Sequence, residues 1–376
     1  MNRRIALLPT LLLAVLAPVA SGWGGKEHVQ LTRIAAARLI ADPATPPAMK
    51  DWLGGLIPDL LDPAGEREFL LTARVGTQVH NSGGGVLAWA MIPDDRASND
   101  PRQNKRAPFN QSERLMHYID LELFLPVEAK KEYRDDLSGK PSLEAIPRNH
   151  RDDRFVQAGY LPFAAEQAYR ELVRCIREEK WEPALPQNRG VGPTPVDSAA
   201  LAAEDSAMKW AGYLAHYAQD NTQPHHSTLD YKSVSYFTDK RRAPNVHSEM
   251  EWRLVDDEAN DYRALREEFW KHFDRALKEL TDPVQTDDVW LATLHVAMAS
   301  YDALPLIGRA ASAARAPAKD GDRFDTIDLE QFMRFRGRVG DVEMSVLELK
   351  ARQCAWAVLR TQRLWKQAWI EATTGS

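Results

Sequence analysis

Cysteine is scarce: only Cys175 and Cys354 occur in 376 residues. This excludes a small scaffold held by a disulfide framework, and two thiolates at unrelated positions make a poor zinc signature. Beyond the N-terminal segment no stretch approaches the roughly 18 apolar residues a membrane span needs. Neither sign of charge dominates, with 48 Lys and Arg against 54 Asp and Glu and a formal net charge of −6. That excludes a basic coat holding nucleic-acid phosphates by charge alone. Phosphate chemistry here would need a compact local source of positive charge, such as metal ions. Internal repeats, low-complexity tracts and alternating strand-like runs are also missing. What remains is 44% hydrophobic and 27% charged, an ordinary globular composition that rules out a disordered chain.

The N-terminus reads as an export signal. Arg3 and Arg4 form a short basic region, Ile5 to Ala20 is apolar with breaks at Pro9 and Pro18, and Ala20-Ser21-Gly22 offers small residues for cleavage. Residues 1–22 are therefore expected to be removed, leaving Trp23 as the first residue of a mature chain of one domain, residues 23–376. Removal of the two arginines takes the net charge from −6 to −8. The expected location is the periplasm or the medium. In an oxidising compartment a single Cys175–Cys354 disulfide is allowed, and two buried free thiols are the alternative.

Apolar periodicity in the mature chain is helical. Leu31, Ile34, Ala35 and Leu39 share one face, as do Met208, Ala211, Ala215 and Ala218. Longer helical patterns run from about Ser248 to Leu280 and from Met344 to Thr373. The expected fold class is all-α, a single multi-helix domain. Polar stretches at about Pro93–Arg106, Asp135–Asp153, Ala184–Asp197 and Ala316–Asp328 read as long loops or insertions. The run Phe332-Met-Arg-Phe-Arg-Gly-Arg338 reads as a salt-bridged helix face.

The chemistry rests on histidine and carboxylate. Ten histidines occur, and three of them stand four residues before an acid: His216 with Asp220, His226 with Asp230, and His247 with Glu251. On a helix that spacing puts both side chains on one face, where one metal ion can take two ligands from a rigid element. Each pair alone is weak, since a solvated helix salt bridge has the same spacing. The ordered set is stronger: Trp23-x4-His28, then Asp94, then His117, then His216-x3-Asp220-x5-His226, then His247-x3-Glu251.

In these residues the chain resembles the zinc-dependent phospholipase C and single-strand nuclease superfamily, in its S-one/P-one nuclease branch. WGGKEH, AWAMIPDD, MHYID, HYAQDNTQPHH and HSEME supply the family's elements in order from Trp23 to Glu251. The resemblance implies three Zn²⁺ ions. One would take Trp23, through its α-amine and carbonyl, with His28 and Asp220. A second would take Asp94, His117, His216 and Asp220 as a bridge. A third would take His226, His247 and Glu251. A terminal amine ligates only when deprotonated, so the first ion needs cleavage immediately before Trp23. Asp94 is favoured over the adjacent Asp95 because it follows Pro93 and the Trp89 run. His225 is expected to be a neighbouring surface or outer-shell group. The interval between His117 and His216 is wider than the family usually shows.

By the same resemblance the activity is phosphodiester hydrolysis by a metal-bridged hydroxide, with Asp94 also orienting or deprotonating the attacking water. Nuclease and phospholipase branches are separated by three features. The short interval from Trp23 to His28 is the nuclease spacing. MHYID matches the nuclease element in which the aromatic stacks on a base and the acid bonds its edge, which assigns Tyr118 and Asp120 to substrate. Stacking demands an unpaired base, so single-stranded DNA or RNA is the expected partner. Glu251 in place of Asp leans towards the alternative, a zinc-dependent phospholipase C. A non-catalytic, zinc-stabilised binding module is the second alternative and expects closed four-ligand sites.

Overall fold

The apolar face from Leu31 to Leu39 forms helix α1 (Gly25–Ala41), and the following Pro46-Pro47 pair, with proline at the first helical position, starts α2 (Pro47–Leu56). The computed structural model describes residues 25–57, 85–99, 109, 111–126, 139–181, 205–251, 254, 262–318 and 322–374. The predicted signal segment and Trp23 lie outside the described residues. The described chain is mostly helical, as expected of an all-α protein, and none of its helices is long and apolar enough to cross a membrane.

Helices α3 (Gly85–Asn99), α4 (Phe155–Ala158), α5 (Leu161–Arg177) and α6 (Ala207–Asp220) follow. Then come α7 (Val246–Glu251), α8 (Arg263–Glu279), α9 (Val289–Tyr301), α10 (Leu304–Ala313), α11 (Leu329–Arg334) and α12 (Val346–Thr374). Almost every residue of α6 is buried, which marks it as the central helix. It packs against α3, α5 and α12. Gly212 permits a close crossing with α3: a Cβ there would lie 2.4 Å from Trp89 Cβ and 2.7 Å from Val86 O.

Apolar side chains gather in two large clusters. One is built from α2, α3, α5, α6 and the C-terminal third of α12, around Trp89, Tyr217 and Trp365. The other joins α7, α8, α10, α11 and the first half of α12, around Phe269, Phe273 and Phe332. Helices α1 and α12 contribute to both. This division overturns the Cys175–Cys354 disulfide: Cys175 belongs to the first cluster and Cys354 to the second, and both are buried free thiols.

Several local expectations are also corrected. The single helical pattern from Ser248 to Leu280 is two helices, α7 and α8. Leu254 between them has φ 76°, a left-handed conformation that no α-helix passes through. Its side chain is nevertheless buried with Met250, Leu265 and Phe269, so the periodicity reported burial rather than helical continuity. The polar stretch starting at Pro93 is helical to Asn99, with Pro93 inside α3. The polar stretch Asp135–Asp153 holds no α-helix among its described residues, and the core helix α5 follows it. Phe332–Arg338 is not one helix face: it crosses from α11 into strand β3 (Arg336–Val339). Two small antiparallel pairs were not anticipated, β1 (Arg315–Ala316) with β2 (Thr326–Ile327), and β3 with β4 (Val342–Ser345). The second turns at Gly340, where φ is +58°.

Candidate metal centre

Four separate segments deliver an inner group of ligating side chains. His216 and Asp220 stand one turn apart near the end of α6, whose start is fixed by Ser206 accepting from the Lys209 amide at 3.2 Å. His28 comes from α1 and Asp94 from α3. His117 follows a 3-10 turn, Glu113–Met116. All five are buried, with His28, His216 and Asp220 at 0% exposure and Asp94 at 7%.

Asp220 divides its carboxylate between two sides of this group. Its Oδ1 lies 3.2 Å from His28 Nε2, while its Oδ2 lies 3.0 Å from His117 Nδ1 and 3.1 Å from His216 Nε2. Asp94 faces the same space, with Oδ1 3.6 Å from His117 Nδ1 and Oδ2 3.8 Å from His28 Nε2. The His28 and His216 rings stack with centroids 3.9 Å apart. Two sets of three ligand atoms result, His28 with His216 and Asp220, and Asp94 with His117 and His216, each within 4.8 Å of one another.

An outer group is formed by His226, His247 and Glu251, likewise within 4.8 Å. The i, i+4 pair of α7 supplies two of the three, and Glu251 Oε1 meets His247 Nε2 closely and lies 3.4 Å from His226 Nε2. The two groups are tied by backbone. Ile119 donates its amide to His226 O at 2.8 Å, and His226 Nδ1 bonds His117 O at 2.5 Å.

Orientation of the rings comes from a second layer of bonds. His28 Nδ1 bonds Gln219 Oε1 at 2.8 Å, and Gln219 in turn donates to Thr32 Oγ1 at 2.9 Å. His216 Nδ1 bonds Ala90 O at 2.7 Å. Carbonyl acceptors on Nδ1 fix the proton there and leave Nε2 with a free lone pair, the form a metal requires. Gln223 donates to Glu251 Oε1 at 3.0 Å. Gln223 already stood in the TQP element; Gln219 carried no signal beyond preceding Asp220, because its role depends on α1 lying alongside α6.

Among these groups alone the protonation states diverge. Burial opposes a charge on His117, yet the hydrogen bond to Asp220 and the charges of Asp220, Asp94 and Glu113 prevail and raise its pKa to about 9. His216 is lowered, chiefly by burial. Asp220 is held well below the usual carboxylate range because the surrounding histidines outweigh its burial. Burial raises Asp94 and pushes Glu251 well up.

Beside the inner group, Tyr118 is half-buried and Asp120 is 7% exposed. Gly159, at φ +90°, allows the chain to pass Tyr118: a Cβ there would sit 2.1 Å from Tyr118 O. Burial, with Glu122 nearby, raises the Asp120 carboxyl well above its usual value, and burial with Asp120 raises Tyr118 to about 12. His226 and Asp230 do not share a helix face. His226 sits in a 3-10 turn, and Asp230 caps the Val234 and Ser235 amides at 2.7 and 2.9 Å. His225 is not a surface group but buried, stacked on His247 with centroids 5.4 Å apart and bonded to Ser233 Oγ at 3.0 Å.

The donor set suits cations. His28 Nε2, His226 Nε2, Asp220 Oδ1 and both Asp94 oxygens are buried without a hydrogen bond among the described residues. Each orphaned polar atom costs about 1–3 kcal/mol, an expense that a shared cation removes. Three buried groups of histidine and carboxylate are thus able to hold metal ions. Comparison of the chain with protein-family models, curated proteins and solved structures gave no match.

Proposed function

We propose that the chain is an exported zinc-dependent phosphodiesterase, a single-strand-preferring endonuclease that leaves 5′-phosphorylated products. The observation that carries the reading is the convergence of eight buried imidazole and carboxylate side chains on adjoining centres, with Asp220 turning one oxygen to each side. Nitrogen and oxygen donors in such numbers suit zinc. His28 with Asp220 would hold one ion, joined by the Trp23 terminus. Asp94, His117, His216 and Asp220 would hold a second, and His226, His247 and Glu251 a third. Zinc bound there would supply Lewis-acid charge for phosphate oxygens and acidify a water.

The chain's own groups have separable tasks. Asp220 fixes the spacing of the two inner ligand sets. Asp94, with a side chain 10% exposed against 0% for Asp220, is the inner carboxylate nearest to solvent and accepts the proton of the attacking water. That water oxygen bonds to phosphorus as the bond to the 3′ oxygen breaks, and the departing oxygen takes up a proton from solvent, leaving a 5′-phosphate and a 3′-hydroxyl. Tyr118 offers a ring face to an unpaired base and Asp120 its carboxyl to the base edge.

The phospholipase C reading rests on Glu251 in place of Asp. A binding module would require closed four-ligand sites, whereas the outer group has three side-chain ligands. The deciding experiment joins metal analysis with hydrolysis assays on single-stranded DNA, RNA and phosphatidylcholine. Three zinc ions with cleavage of nucleic acid is the expected result; turnover of the lipid alone would overturn the nuclease. One extra residue before Trp23 should remove one zinc and most activity.

A further inference from the structure

Lys350 is wholly buried in the second turn of the 29-residue helix α12. Its Nζ donates to Glu27 Oε1 at 3.1 Å, Met250 O at 2.6 Å and Glu251 O at 2.8 Å. An ammonium has three N–H groups, and these three acceptors take one each. Glu27 is equally buried, at 0% exposure. The sequence separations are large, 323 residues to Glu27 and 99 to Glu251, so the junction is made by the tertiary fold alone.

The position of this junction is specific. Met250 and Glu251 close the six-residue helix α7. The last carbonyls of a helix lack intrahelical partners and carry its negative dipole end, where a cation is favourable. Glu251 belongs to the outer ligand group, and Glu27 adjoins His28 of the inner group. One ammonium therefore grips the backbone of a ligand in one group and the neighbour of a ligand in the other. A buried ion pair is weak evidence for stability, because such pairs are often replaceable by apolar residues at no loss.

We propose that Lys350 and Glu27 are positioning residues that set the outer His226/His247/Glu251 group in register with the inner one. The proposal rests on the metal-centre reading above. The Lys350 ammonium meets the ligand Glu251 at its main-chain carbonyl rather than at its carboxylate. It acts by preventing α7, too short to hold its own position, from moving relative to α1.

The test removes both charges together, since removing one would leave the other buried and unpaired, which is strongly destabilising. Zinc affinities of the wild type and of the double variant Lys350→Met/Glu27→Gln are measured by competitive chelation, alongside circular dichroism and thermal melting. With the fold retained, the ion on His226, His247 and Glu251 should lose about 10- to 100-fold in affinity, the effect usual for outer-shell partners, and the other two ions should stay. A control at Arg360, buried on the same helix, and its partner Asp282 at 2.6 Å, changed to Met and Asn, should alter melting without altering zinc affinity. A folded double variant with three unchanged affinities overturns the proposal. So does equal weakening of all three ions in both variants, which marks a merely structural role. A wild type that binds no zinc overturns the metal centre itself and this proposal with it.

Discussion

Asp220 Oδ1 approaches His28 Nε2 to 3.2 Å while the other oxygen of the same carboxylate faces His117 and His216. One carboxylate thereby faces histidines of both inner ligand sets. Asp220→Asn keeps the shape but removes the negative charge and leaves one oxygen donor in place of two. Zinc content should fall from three to one, and phosphodiester hydrolysis should drop by more than about 100-fold, beyond what outer-shell changes cost. Metal analysis and initial rates check this, and a variant with full zinc and full activity would contradict a bridging role.

Gln219 anchors His28 Nδ1 through its Oε1 at 2.8 Å. In Gln219→Ala the ring loses its fixed tautomer, and affinity for the ion on His28 should weaken about 10- to 100-fold. Competitive chelation reads the change. Equal affinity in variant and wild type would assign Gln219 to packing only.

Zinc uptake should release protons. Asp220 and its neighbours raise His117 to about 9, so the metal-free protein keeps that proton at pH 7.5, and ligation requires its loss. A folded-state pKa raised above the unfolded value of about 6.5 gives stability that is full below pH 6.5 and is lost as pH rises through about 9. The melting temperature of the metal-free protein should therefore fall across that window, and the gain on adding zinc should grow. Calorimetry in buffers of different ionisation enthalpy measures the protons; release of none at pH 7.5 would refute the assignment.

Gly212 marks the crossing of α3 and α6. The added methyl of Gly212→Ala would meet Trp89 Cβ at 2.4 Å and Val86 O at 2.7 Å, and backbone cannot yield as a flexible side chain does. Overpacking of this kind costs about 1–3 kcal/mol. The displaced α3 carries Asp94, so melting temperature and the zinc held by Asp94 should decline together. Loss of stability with undiminished zinc would show that the crossing does not control the site.

Tyr118 discriminates the two hydrolase readings. A base stacked on its ring is worth about 1–3 kcal/mol, so Tyr118→Ala should raise KM for single-stranded DNA by about 5- to 150-fold. Hydrolysis of a small phosphodiester lacking a base should be unchanged. Parallel losses on both substrates would remove Tyr118 from base recognition.

Much of the metal centre was legible because its ligands come in local spacings. His216 with Asp220 and His247 with Glu251 lie one helical turn apart, and an α-helix alone places such pairs together. His226 with Asp230 has the same spacing and no such meaning, because Pro224 starts a 3-10 turn there rather than an α-helix. The α7–α8 break was hidden for a related reason: Leu254 keeps the apolar rhythm while its backbone turns.

What the sequence determined by itself is the helical class of the chain and most of the side chains that gather into three candidate metal groups, since helical periodicity and i, i+4 pairs are properties of neighbouring positions. Which Nδ1 is held by which carbonyl, that Cys175 and Cys354 lie in different cores, and that Lys350 meets Glu27 and Glu251 were decided only by tertiary structure. Those relations join residues about a hundred or more positions apart, or depend on how helices cross. Spacing along a chain carries no information on either until packing has brought the helices together.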